Sequence, residues 1–149
     1  MTVRLAFYKG KSTWKDRLIR LWTFGPYSHV ELLIDDVAFS SVVGVGTRYL
    51  SYPVFIANEW DYVDIPMSSL DKAHMWSWCM SELGCGYDWK GLICCQVLGL
   101  AMDDPKDWFC SEYVITALQV AGKLKAITSY KESPNSLSRY VARHPVSVA

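Results

Sequence analysis

The sequence predicts an α+β fold. Runs with the two-residue alternation of strands gather before Ile65, and runs with helical spacing gather after it. That segregated order fits an antiparallel sheet carrying helices, not an alternating parallel arrangement. Size agrees: 149 residues, 51% of them hydrophobic, with seven Trp and nine Tyr, are enough for one packed core without disulfides. Residues 1–149 therefore read as a single domain.

The elements follow in order. Met1 to Tyr8 alternates as a strand, and its lack of a charged region, long apolar run and small-residue cleavage site argues against a signal peptide. Ser12 or Thr13 caps a helix over about Trp14–Thr23, with Trp14, Leu18, Leu21 and Trp22 on its apolar side, and Gly25-Pro26 stops it. Ser28–Ile34 and Val37–Val43 form a hairpin about the turn pair Asp35-Asp36. Gly44, Gly46 and Tyr52-Pro53 mark an irregular stretch, and Trp60–Ile65 is a further strand. Asp71 opens a helix to about Leu83 that Gly84-Cys85-Gly86 breaks, and Asp88 to about Met102 is helical in pattern. Asp103-Asp104-Pro105 turns the chain. A helix then begins at Cys110, with Asp107 as its cap and Gly122 at its end, and a last one covers about Asn135–Ala142.

Composition limits the function classes. Fifteen basic and fifteen acidic residues give a formal net charge of zero without a basic pole, so electrostatic binding of nucleic acid has little support. The five cysteines are odd in number and show no CxxC spacing, which fits a reducing compartment and disfavours a zinc site. No metal or other cofactor is implied. The longest apolar stretch, Gly91 to Met102, is too short to span a bilayer and contains Gln96; it reads as a core helix or a surface-associated one.

Cys110 is the residue that points to chemistry. Helical spacing sets it on one stripe with Val114, Ala117, Leu118 and Ala121, at the first turn, where a partial positive charge and unpaired N–H groups favour a thiolate and can hold an oxyanion. A small buried hydrophobe is the competing role. In the hairpin, Val30, Leu32 and Ile34 form one side and His29, Glu31 and Leu33 the other. A two-residue turn pairs Ile34 with Val37 and Leu32 with Phe39, setting Glu31 opposite Ser40 on the face of His29. A Cys–His pair needs the imidazole to take and return the thiol proton while a third polar group holds the ring. Ser40 and Glu31 are the local candidates for that group. His74 beside Trp76 and His144 in the tail are weaker partners.

The segments Tyr27-Ser28-His29-Val30-Glu31-Leu32, Gly86-Tyr87-Asp88-Trp89-Lys90-Gly91 and Trp108-Phe109-Cys110-Ser111-Glu112, in that order, resemble the circularly permuted papain-like hydrolases of the NlpC type. The nearer likeness is to their bacterial YiiX and YebB branch. The opening Phe7-Tyr8-Lys9-Gly10 and closing Ser133-Pro134-Asn135 are also similar to small proteins of tailed bacteriophages. The resemblance implies a Cys110–His29 dyad on a helix packed against an antiparallel sheet, with Tyr87 helping the Cys110 backbone N–H at the oxyanion. The family's third polar residue falls near Ser40 or Ser41, where relatives often carry a carboxylate, His or amide; this departure leaves Glu31 or a backbone carbonyl as substitutes. Glu112, about 200° around the helix from Cys110, points away from the thiol and complements the helix dipole.

The expected function is a cysteine peptidase or amidase that works through an acyl-enzyme on a peptide or acyl substrate, with peptidoglycan peptides the natural amides for a phage or bacterial protein. Two alternatives stand beside it: a lipid acyl hydrolase or transferase, and a non-catalytic virion or tail-associated protein of the same fold. The expected location is the cytoplasm of a bacterium or phage-infected cell, with virion association as the other option.

Overall fold

The computed structural model describes residues 1–10, 13–86 and 108–144, apart from the side chains of residues 14, 15 and 22. It is an α+β structure. Five antiparallel strands, β1 (Thr2–Tyr8), β2 (His29–Ile34), β3 (Val37–Val42), β4 (Gly46–Ser51) and β5 (Trp60–Pro66), lie in the order β4-β3-β2-β1-β5. The helices are α1 (Trp14–Thr23), α2 (Ser69–Ser81), α3 (Cys110–Val120) and α4 (Pro134–Arg143), with a 3-10 turn over Ser129–Lys131.

Local chemistry sets the boundaries. Thr13 and Asp16 form a reciprocal capping box on α1, and the chain leaves α1 through Phe24 in the left-handed region at φ 50°. Among the described side chains of α1, Ile19 and Thr23 are buried and Leu18 partly so, while Leu21, expected on the apolar side, is two-thirds exposed; Trp14 and Trp22 lie outside the described side chains. Asp35, at φ 53°, makes the tight turn from β2 to β3, and the predicted register holds: Leu32 pairs Phe39 and Ile34 pairs Val37. Ser68 caps α2 by accepting the Asp71 N–H. Ser133 and Ser136 form a second capping box, on α4, followed by Pro134 at its first position.

The stretch after Gly44 is a strand, not an irregular segment. β4 pairs the whole length of β3, and the glycine at its start is what the packing demands: Gly46 lies at φ 83°, and a Cβ there would fall 2.1 Å from the Cys85 carbonyl oxygen. Thr47 N–H donates to that same carbonyl, at 2.8 Å, and the Gly84 N–H returns to Thr47 O. The Trp108 N–H bonds Gly86 O at 3.0 Å, and so the backbone leading to α3 is tied to the end of this ladder.

The core lies between one face of the sheet and α3. Val3, Leu5, Phe7, Val30, Leu32, Ile34 and Phe39 pack with Met75 and Cys79 of α2 and with Tyr113, Val114, Ile115 and Leu118 of α3. Each fully buried aliphatic side chain contributes about 1.5–3 kcal/mol. The expected stripe on α3 is wider than helical spacing implies, since Ser111, Glu112, Tyr113 and Ile115 are buried as well. A helix covered nearly all round is a central helix, and its first residue is thereby held in place. Among the described residues, no helix is long and apolar enough to cross a membrane.

Candidate active site

Cys110 opens α3, and His29 opens β2. The N-cap of α3 is Phe109, with no side-chain cap bond, which corrects the expectation of Asp107 as the cap. The hydroxyl of Ser41 donates to the Trp108 carbonyl, fixing the approach to Cys110 from β3.

The His29 imidazole lies close enough to the Cys110 side chain to be coupled to it electrostatically, and it hydrogen-bonds with Glu31. On the Glu31 side, Nε2 donates to Oε1 at 3.4 Å. The same oxygen accepts from Ser40 Oγ at 3.3 Å and from Arg48 Nη2 at 3.3 Å. Strand geometry explains the cluster: His29 and Glu31 are two apart on β2, and Ser40 lies directly opposite Arg48 in the β3–β4 ladder. Glu31 is 3% exposed and Cys110 4%, while the His29 ring keeps about a fifth of its surface.

Burial of the ring opposes its charge, yet its interactions with the neighbouring Cys110 side chain and with Glu31 raise the His29 pKa to about 10. For Glu31, burial pushes the carboxyl upward, and the bond and charge of His29, then the charge of Arg48 and the Ser40 hydroxyl, more than reverse this and hold it below its ordinary value. Cys79 is a useful contrast. It is fully buried, and burial pushes its thiol up to about 12.

A cleft of about 460 Å³ opens on this cluster. His29, Glu31 and Arg48 line it together with Asp16, Ser28 and the ring pair Tyr8 and Trp60, whose centroids are 4.9 Å apart. The loop that delivers His29 is pinned from behind. Asn135, buried in α4, accepts the Tyr27 N–H at 2.9 Å and donates to Tyr27 O and Thr23 Oγ1, and Gly25 leaves it room: a Cβ there would meet Asn135 Oδ1 at 2.2 Å.

Of the residues the sequence singles out, Cys110, His29, Glu31 and Ser40 come together. Ser40 reaches Glu31 and not the imidazole, so the group on the ring is the carboxylate. Tyr87 lies outside the described residues, as do Trp89, the segment from Asp88 to Met102 and the Asp103-Asp104-Asp107 cluster. His74 is exposed on α2, and His144 stacks on Tyr140 at the end of α4. Trp78, Trp108 and Tyr113 form one aromatic group behind α3, with Trp78 and Trp108 meeting edge to face at 5.6 Å. Glu112 is buried in the first turn of α3, beneath the surface and not a solvated acid. Arg48 was not legible as a site residue because its strand was read as irregular; the alternation Thr47, Tyr49 with Arg48 between was the available signal. Among the described residues no group of three or more His, Cys, Asp or Glu could hold a metal ion.

No family model matches the chain, and no curated protein matches it.

Proposed function

We propose that the chain is a cysteine hydrolase of the permuted papain-like type, a peptidase or amidase that forms an acyl-enzyme on Cys110. The observation that carries this reading is the imidazole of His29 set beside the Cys110 side chain, to which it is electrostatically coupled, and bonded to a buried, ionised Glu31. An arrangement of thiol, ring and carboxylate is what nucleophilic catalysis requires: a nucleophile, a base that returns the proton, and a group that fixes the base.

With Nε2 turned to Glu31, Nδ1 is the nitrogen that serves the thiol. His29 takes the Cys110 proton, and the thiolate attacks the substrate carbonyl. The oxygen of the tetrahedral intermediate is received by the Cys110 backbone N–H at the α3 N-terminus. As the intermediate collapses, the His29 imidazolium gives its proton to the leaving amine and the thioester remains. Water then enters, His29 removes its proton, and hydrolysis frees the acid and the thiol. Peptidoglycan peptides are the proposed amide substrates.

The test is product release. Purified peptidoglycan and acyl-ester lipids are incubated with the protein and with Cys110→Ala, and soluble products are separated by mass. New amino groups from peptidoglycan that Cys110→Ala does not release support the peptidase reading. Release from lipid alone moves the substrate class to acyl esters, and release from neither, in a protein whose Cys110 reacts normally, rejects hydrolysis of both.

A further inference from the structure

We propose that Arg48 is a positioning residue of this site, whose fixed charge keeps Glu31 ionised and turned toward His29 through the whole reaction cycle. The inference rests on the Cys110–His29 reading above and extends it to a residue on a different strand.

Glu31 is nearly sealed from water and accepts three donors on one oxygen, His29 Nε2, Ser40 Oγ and Arg48 Nη2, at 3.3–3.4 Å. Ser40 is neutral. The His29 charge is transient, because the ring must surrender its proton to the leaving group and recover it from water in every turnover. At those moments a buried carboxylate without another counter-charge would take up a proton itself and cease to hold the ring. A guanidinium does not titrate in this range, so among the described residues Arg48 is the charged partner of Glu31 whose charge never changes. Its position is built in: Arg48 is the register partner of Ser40, and the β3–β4 ladder delivers both side chains to the same oxygen. Among the described residues Glu31 Oε2 and Arg48 Nε have no hydrogen-bond partner, and the ion pair is engaged through the Oε1–Nη2 contact at 3.3 Å. The other ionisable groups lining the cleft are Asp16 of α1 and Tyr8 of β1.

The experiment measures the pH profile of Cys110 alkylation by iodoacetamide in the full chain, with His29→Ala as the control for the dyad. Arg48→Met keeps an aliphatic stem and removes the charge; the acid limb of the profile is expected to move up by about one pH unit or more, as loss of a neighbouring opposite charge dictates. Arg48→Lys is expected to bring it back toward the wild type. In a Glu31→Gln background, which has no buried carboxylate to compensate, Arg48→Met is expected to leave the profile where Glu31→Gln alone sets it. That pair of variants also covers the case in which Arg48→Met alone does not fold. An unmoved limb in Arg48→Met, a shift that Arg48→Lys does not reverse, or a further shift in the Glu31→Gln background overturns the assignment of Arg48. If His29→Ala itself leaves Cys110 reactivity unchanged, it is the dyad that fails, and the two failures are thus told apart.

Discussion

Replacing Glu31 with Gln preserves shape and removes the charge that holds His29. The carboxylate oxygen stands 3.4 Å from Nε2. Two unit charges at that separation in an effective dielectric of about 20 interact by ~5 kcal/mol, which is more than three pKa units as an upper limit. Two features reduce it. The Gln amide oxygen still accepts the ring N–H, and the ring keeps about a fifth of its surface toward the cleft, where water screens it. A net fall of about one to two units is therefore expected, taking the imidazole from about 10 in the wild type to about 8–9. The assay is nitrogen-detected NMR titration of the histidine rings, with the His29 resonance assigned by its loss in His29→Ala and folding checked by circular dichroism. An unchanged His29 midpoint in folded Glu31→Gln would refute the claim that the carboxylate polarises the ring.

The pH dependence of stability follows from the same shifts. His29 titrates higher in the folded chain than its ordinary 6.5, so its contribution is complete below 6.5 and is lost as pH rises toward about 10; urea midpoints should decline across that window and decline less in His29→Ala. Glu31 has the opposite sense: its contribution is present above about pH 4.5 and is lost as pH falls through its depressed folded value, a loss that Glu31→Gln should abolish. Asn135→Ala strips three hydrogen bonds from the Thr23–Tyr27 turn and leaves the Tyr27 backbone groups without their partner; a cost of about 2–3 kcal/mol in urea unfolding is expected, and a cost under about 0.5 kcal/mol would contradict the clamp.

The parts of the fold set by local chemistry were legible in the sequence. Thr13 caps α1, Asp35-Asp36 closes the hairpin, and the two-residue alternation around His29 placed Glu31 beside Ser40 in the observed register, whereas α2 starts before Asp71, capped by Ser68. What escaped depends on tertiary approach. β4 begins with Gly46 because the Cys85 carbonyl lies against it, and a glycine serving a distant backbone looks like a loop residue in sequence. With β4 unread, Arg48 had no register partner and could not be placed on Glu31. Likewise Leu21 and Ile19 fit an apolar α1 about equally well by spacing, and only the neighbour that α1 meets decides that Ile19 is the buried one. The pairing of Cys110 with His29 was read from element starts and from family likeness; strand alternation set His29 only on the Glu31 face, and the nearness of ring and thiol required the fold.

The central claim is that Cys110 and His29 act as one unit. Iodoacetamide labelling at pH 6, with each cysteine followed by peptide mass mapping, measures it directly. Cys110 should label faster than Cys79 and Cys85, and His29→Ala should slow Cys110 by about a hundredfold, the lower end of what a positioned base contributes, while the chain stays folded. Labelling of Cys110 that is as slow as that of buried Cys79, or that His29→Ala does not alter, would contradict the account.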